Sequence, residues 1–242
     1  MPQVLIGIDD TDHAESRGTG YLSRQLAELI EDQGLGSVES ISRHYLLQDH
    51  PEAGRENSAV CLEVETRAVE ELWSFCSTYV RDESRPEASP GLVMCPKGKG
   101  GVSLVSFGKR AKTAEVDLEE ALELGAAAGI RVAGWNQGRG RIGALAALGL
   151  RQSGEDGRFI WLPRLRELQG IYTAEDLLAL TRTDRIVDDR GRPVDPQDNI
   201  EVGTWVSPVI REHQITLIVR RDPHRPDCWL ATDREYVMRE MR

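Results

Sequence analysis

The chain opens on a short apolar run, Val4-Leu5-Ile6-Gly7-Ile8, that breaks at once into Asp9-Asp10-Thr11-Asp12. An apolar run of this length bounded by polar residues reads as a buried strand. After Gly18-Thr19-Gly20 a helical pattern sets in, with Leu22, Leu26, Leu29 and Ile30 on one face, and Gly34 and Gly36 end it. Residues 38–47 and 58–64 read as two more strands, the second alternating through Val60, Leu62 and Val64. The polar connection between them, residues 48–57, is too long for a tight hairpin. Thr66 caps a helix that turns Val69, Leu72, Trp73 and Cys76 inward. Residues 91–95 form a short buried strand, 102–107 read as strand or connector, and 117–128 read as a helix burying Leu118, Ala121, Leu122 and Leu124. The stretch 142–150, built from Ala, Leu and Gly, predicts a central helix packed on all sides.

Beyond residue 150 the texture changes. Residues 158–162 read as a strand, and Thr173 caps a short helix running to Leu180. Residues 184–198, rich in Asp, Arg, Gly and Pro, read as an exposed loop or hairpin. Residues 205–210 and 214–220 read as a strand pair, and 236–242 as a terminal helix. No internal repeat is present. The boundary falls near residues 151–158, with an α/β unit before it and a smaller α+β unit after it.

Composition narrows the function classes. A chain of 242 residues holds one large domain or two modest ones, and its 40% hydrophobic and 29% charged residues are ordinary globular usage. No apolar run approaches the roughly 18 residues of a membrane span, and acids follow the first strand at once, unlike a signal peptide. The expected location is cytoplasmic, with no membrane partner. A net charge of −10 and a pI of about 5.1 argue against gripping nucleic acid through bulk electrostatics, while leaving room for a local basic face or for metal-bound phosphate. Cys61, Cys76, Cys95 and Cys228 form no C-x-x-C pair and the histidines no ligand spacing, so no zinc is expected and the thiols read as buried and free.

Three segments carry candidate chemistry. Asp9, Asp10 and Asp12 lie at a strand's carboxyl end, where α/β sheets build sites, and clustered hard oxygens suit Mg²⁺. With Thr11, Gly18 and Thr19 beside them they read as metal ligands next to a phosphate-binding turn; the competing reading is a solvated turn that caps the next helix. Gly138-Arg139-Gly140-Arg141 opens the Ala/Leu helix, where backbone N–H groups and arginines hold phosphate, or where glycines merely turn the chain between surface arginines. It is not a Walker A loop, and no such loop occurs in the chain. Pro96-Lys97-Gly98-Lys99-Gly100-Gly101 is a cationic loop that either covers a nucleotide or is simply solvated.

In combination these segments resemble the archaeal isoleucine-tRNA agmatinylcytidine synthetase family. Ile6-Gly7-Ile8-Asp9-Asp10-Thr11-Asp12 looks like its N-terminal signature, and Arg17-Gly18-Thr19-Gly20-Tyr21-Leu22 like its Gly- and Thr-containing turn into a helix. Arg55-Glu56-Asn57-Ser58-Ala59-Val60 is similar to its Arg/Asn segment, and Ser89-Pro90-Gly91 to its Asn-Pro-Gly. Residues 138–147, Gly-Arg-Gly-Arg-Ile-Gly-Ala-Leu-Ala-Ala, match most closely, and Asp198-Asn199 also falls in register.

The resemblance implies a kinase-like α/β domain, residues 1–152, followed by a smaller ferredoxin-like α+β domain, residues 153–242. It implies an ATP-dependent enzyme, with Mg²⁺, that phosphorylates an amide-like carbonyl oxygen so that an amine displaces the phosphate. Asp9, Asp10, Asp12 and Thr19 take the catalytic positions, with the three acids also as metal ligands. Thr11, Gly18, Gly138, Arg139, Gly140 and Arg141 face ATP, while Arg55, Asn57, Pro90 and Gly91 border the second substrate. The family's OB-fold and zinc ribbon, which hold tRNA, are expected to be absent, and His13 and Gln137 stand where the family has Ser and Lys. The expected partners are therefore ATP and an amine or carbonyl small molecule. Two alternatives stay open: a nucleotide-binding regulatory protein without turnover, and a tRNA-modifying subunit that borrows its RNA-binding parts from another chain.

Overall fold

The amino-terminal apolar run forms β1 (Gln3–Asp9), whose residues from Val4 to Ile8 are buried. The structure, a computed structural model, describes residues 1–12, 17–48 and 57–241. The chain divides into two units, Met1–Ser153 and Gly154–Arg242.

In the first unit β1 is followed by α1 (Thr19–Asp32), β2 (Ser37–Tyr45), β3 (Ser58–Glu65), α2 (Val69–Glu83) and β4 (Gly91–Pro96). Then come α3 (Gly101–Arg110), α4 (Leu118–Ala127), β5 (Arg131–Gly134) and α5 (Gly140–Ser153). The strands lie in the order β5-β4-β1-β3-β2, and every neighbouring pair is antiparallel. The path from β1 to β4 is therefore a βαββαβ, ferredoxin-like motif. This corrects an expectation: the resemblance puts the ferredoxin-like path in residues 153–242, whereas the structure runs it through residues 3–96. Periodicity reports which residues form a strand; it does not report which strand is inserted between the two ends of a crossover.

Side chains alternate across this sheet, and both faces are covered. Leu5, Ala59, Cys61, Val93 and Cys95 share a core with Leu104 and Phe107 of α3, Ala121 of α4, and Ala144 and Leu148 of α5. The intervening Ile6, Ile8, Val60, Leu62, Leu92 and Met94 are equally buried. The helices on that side are α1 and α2, which bury Leu22, Leu26 and Ile30, and Leu72, Cys76 and Val80. All four cysteines are buried and free, as their spacing suggested, and burial pushes the Cys95 thiol up to about 11. Helix α5 is central: every residue from Gly143 to Leu150 is buried.

Residues 102–107 form helix, not strand. Leu104, Phe107 and Gly108 fall at helical spacing on the buried side, left-handed Gly100 starts the helix, and Val102 is left exposed. Strand β5 has no counterpart in the periodicity, because its residues are all only half-buried.

The second unit contains β6 (Arg158–Trp161), β7 (Gly170–Thr173), α6 (Ala174–Leu180), β8 (Arg185–Asp188), β9 (Asn199–Val202), β10 (Val209–Arg211), β11 (Gln214–Arg221), β12 (Cys228–Ala231) and α7 (Arg234–Met241). Its strand order is β6-β10-β11-β12-β9-β7, with β8 beside β11. The β8–β11 and β9–β12 pairs are parallel and the others antiparallel. Thr173 caps α6 as expected, accepting the N–H of Asp176. The Asp-rich stretch 184–198 is not all loop: Ile186, Val187 and Asp188 are buried in β8.

Asp188 closes the turn after β8. Its carboxylate accepts the N–H groups of Arg190 at 2.9 Å and Arg192 at 2.8 Å, and Arg192 Nε at 2.8 Å. These bonds, the Arg192 N–H foremost, hold the carboxyl below the usual carboxylate range. A depressed carboxyl stabilises the fold above the unfolded pKa, about 3.9, and that stability is lost as pH falls through the native value. Asp188→Asn is therefore expected to lower the thermal midpoint at pH 7, with the gap to wild type narrowing as pH falls below the unfolded value of about 3.9. Thermal unfolding followed at pH 7, 4 and 2.5 tests this; a gap that does not change with pH refutes it.

Candidate functional site

The acids sit where β1 ends. Asp9 is the last residue of the strand and pairs with Gly91, the first of β4. Asp10 turns the chain at φ 54°, a left-handed conformation that Asp tolerates better than most residues. Parity puts Asp9, like Leu5, on the α5 side of the sheet. Its carboxylate lies directly against Cα of Gly143, where any Cβ at 143 would collide with Oδ2. At Gly140 an added Cβ would meet the Asp9 carbonyl and the Gly91 N–H at 2.6 Å and Asp10 Cβ at 2.9 Å. Gly140 and Gly143 therefore have a packing reason: they let the first turn of α5 press against the ends of β1 and β4. That contact is tied by the Gly140 N–H donating to Ser89 O at 2.9 Å, while the Arg85 N–H, donating to Thr11 O at 3.1 Å, holds the chain beyond β1 to the segment after α2.

The electrostatics are adverse to two adjacent carboxylates. Burial pushes the Asp9 carboxyl well above the usual carboxylate range, and the neighbouring Asp10 pushes it the same way. The Asp10 N–H and the Arg43 guanidinium offset part of this. Asp10 is also raised by burial, against the lowering from the Ser89 N–H and Arg139.

Thr19 begins α1 and is buried, at 5% exposure. Its hydroxyl donates to Asp12 Oδ1 at 2.8 Å and accepts from Thr11 Oγ1 at 3.0 Å. The hydroxyl is thereby oriented, and its proton is directed at a carboxylate. Asp12 is thus engaged with Thr19 and does not complete a three-acid cage. Among the described residues no group of three or more His, Cys, Asp or Glu side chains is gathered to hold a metal ion.

The expected site residues divide in four ways. Asp9, Asp10, Thr11, Asp12, Gly18, Thr19, Pro90, Gly91 and Gly140 come together around the β1 end. Arg139 is exposed and acts electrostatically on Asp10. Arg141 turns away from any phosphate, donating through Nε to Gly138 O at 2.8 Å and through Nη2 to Gln137 O at 3.3 Å, so it ties its own loop. Asn57 is a loop tie as well, donating to Leu47 O at 2.9 Å. Arg55, like His13 and His50, lies outside the described residues.

The cationic loop 96–101 belongs elsewhere. Antiparallel pairing puts Pro96 opposite Val4 while Gly91 lies opposite Asp9. The loop is therefore about 17 Å from the acids at ~3.3 Å per strand residue. Lys97 there pairs with buried Glu63 at 2.5 Å, and Arg151 holds the other Glu63 oxygen at 2.6 Å. The contacts of Ser89 and Asn136 were not legible in the sequence. Ser89 contacts Asp10 and α5 through its backbone, which leaves no trace in residue type. Asn136, at φ 56°, donates to Pro86 O and Ala88 O and so fixes the segment before β4. Asn tolerates the left-handed conformation and favours turns, which is the signal Asn136 offered.

The first unit thus belongs to the mixed α/β proteins, with a carboxylate–hydroxyl cluster at a strand end against the amino end of a helix. The chain is homologous to a particular enzyme, the isoleucine-tRNA 2-agmatinylcytidine synthetase TiaS, over about 60% of its length. The Methanosarcina mazei protein of that name is 33% identical over 165 residues, 64% of this chain and 38% of that enzyme. The Pyrobaculum neutrophilum one is 36% identical over 154 residues, 61% of this chain and 35% of that enzyme. The crystal structure of a complex of TiaS with its isoleucine tRNA and ATP matches with a TM-score of 0.57 at 31% identity, covering 62% of this chain and 36% of that one. A complex of TiaS with the same tRNA, AMPCPP and agmatine matches at 0.55 and 30% identity, with the same coverage. The chain spans little more than a third of the length of these relatives. No protein-family model matches it. No described helix is long and apolar enough to cross a membrane.

Proposed function

We propose that this chain is an ATP-dependent phosphoryl-transfer enzyme that activates an amide-like carbonyl oxygen for displacement by an amine. The observation that carries the reading is the Thr11–Thr19–Asp12 chain of hydrogen bonds beside the strained Asp9–Asp10 pair. Homology to an enzyme solved with ATP, and with AMPCPP and agmatine, supports it.

The donor set fits Mg²⁺ in its usual habit of one or two carboxylates plus substrate phosphates. Asp9 and Asp10 would hold it, and it would neutralise charge between their carboxylates and the phosphates. Without a cation these carboxylates would repel a phosphate drawn to the amino end of α5. Arg139, exposed beside Asp10, faces the phosphates. Thr19 contacts or accepts the γ-phosphoryl group: where it accepts, its oxygen bonds to phosphorus as the β–γ oxygen–phosphorus bond breaks and ADP leaves, its proton passing to Asp12, and the phosphoryl group then passes from Thr19 to the carbonyl oxygen. Pro90 and Gly91 wall the acceptor side. In the second half-reaction the amine attacks the activated carbon and phosphate leaves.

The test is transfer of radiolabel from γ-labelled ATP with Mg²⁺, run with amine and carbonyl small molecules in one arm and with tRNA in the other. Thr19→Val, which keeps shape and removes the hydroxyl, is expected to lower transfer by at least about 100-fold, of the order seen when one charge-stabilising donor is removed. Absence of ATP consumption in both arms overturns the reading. Calorimetric ATP binding with no product would instead establish a nucleotide-binding protein without turnover.

A further inference from the structure

We propose that the second unit carries a nucleobase-binding site built on Trp205 and Arg166, independent of the phosphoryl-transfer reading above. Trp205 is 62% exposed, the largest side chain so displayed in this unit, and sits at φ 66°, a conformation that bulky L-residues rarely adopt. The Arg166 guanidinium lies 4.8 Å from the centre of its ring. That arginine is held in place by donating through Nη2 to Ile160 O at 2.5 Å. A cavity of about 240 Å³ opens beside the pair, with Leu165 and Val206 as apolar lining and Gln169 and Thr204 as polar lining. It is smaller than the roughly 300–1,000 Å³ of sites for drug-sized ligands, which suits one planar ring and not an extended cofactor.

The chemistry selects the ligand class. An indole with a guanidinium over one face offers the other face to a second π-system, and every base has such a face. The Gln169 amide and the Thr204 hydroxyl supply donors and acceptors for a base edge. The chain's net charge of −10 provides no bulk attraction for nucleic acid, so a base would be held here by stacking, one at a time. The base is supplied either by a free mononucleotide or by an unpaired position in RNA.

The full chain is titrated by calorimetry with CMP and AMP in one arm and with a short unstructured oligoribonucleotide in the other. Saturable binding is expected in at least one arm, and the arm that binds identifies the source. Trp205→Ala is expected to weaken that binding about 5- to 150-fold, the span of one base–aromatic stack. Trp205→Phe, which keeps a ring, stays within a few-fold of wild type. Phosphoryl transfer by Trp205→Ala, with a small-molecule acceptor, stays at the wild-type rate, which separates this site from the Asp9 site. Binding insensitive to Trp205→Ala overturns the proposal, and so does no binding in either arm at millimolar ligand.

Discussion

Gly91→Ala is expected to lower the thermal midpoint of the protein by roughly 6–12 °C. Gly91 begins β4 opposite Asp9, and a Cβ there would fall on the Arg141 N–H and the Gly140 carbonyl carbon. Both are backbone atoms of the first turn of α5, so no side chain can swing aside. Overpacking a tight core costs about 1–3 kcal/mol and more where backbone must move. At about 2–4 °C per kcal/mol for a chain of this size, the upper end of that range gives the stated shift. The helix that would be displaced is the one buried along its length, so the strain does not stay local. Gly34→Ala is the control: Gly34 sits at φ 66°, but nothing lies within 4 Å of where its Cβ would be. Its loss is limited to the backbone preference, about 1 kcal/mol. Scanning calorimetry of the two variants decides the matter, and equal midpoints would show that α5 does not need its close approach to β4.

Asp9→Asn is expected to abolish ATP-dependent transfer, by at least about 100-fold, while raising the thermal midpoint. The two effects share one cause. A carboxylate buried beside Asp10 is unfavourable in the protein alone, as the upward push on its carboxyl shows. Asparagine keeps the oxygen that accepts the Asp10 N–H and removes the charge. In the proposed reaction that charge is what would hold the cation that neutralises the phosphates, so the change that relaxes the fold removes the chemistry. Transfer rate and midpoint measured on the same preparation test both halves. A rate within a few-fold of wild type would exclude the Asp9 carboxylate from the reaction, and a lowered midpoint would show that its burial is already compensated.

Much of the local structure was legible in residue order. The apolar run before Asp9 could only be a strand, and the 3.6-residue spacing of Leu22, Leu26 and Ile30 marks α1 as amphipathic. Asp117 and Thr173 cap their helices through the N–H three residues on, as those side chains do in many proteins. The proximity of Asp9, Asp10, Asp12 and Thr19 was also legible, because a strand end and the next helix start are neighbours along the chain.

What residue order left open is whatever depends on atoms brought from far along the chain. Gly140 reads as a phosphate turn or a plain chain turn, and Gly143 as one residue of a packed helix; only the placement of α5 against β1 shows that Asp9 and Gly91 fill the space where their side chains would be. Arg141 reads as a phosphate ligand until its guanidinium is found on the carbonyls of its own loop. The 96–101 loop reads as a nucleotide cover until antiparallel pairing carries it to the far end of β1. The βαββαβ order itself is of this kind. By itself the sequence determined the elements, their caps and a carboxylate–hydroxyl cluster, because those follow from neighbours within a few residues. The tertiary structure decided which glycines pack, which arginines are engaged and which end of the sheet each loop serves, because register and crossover join residues that no local period relates.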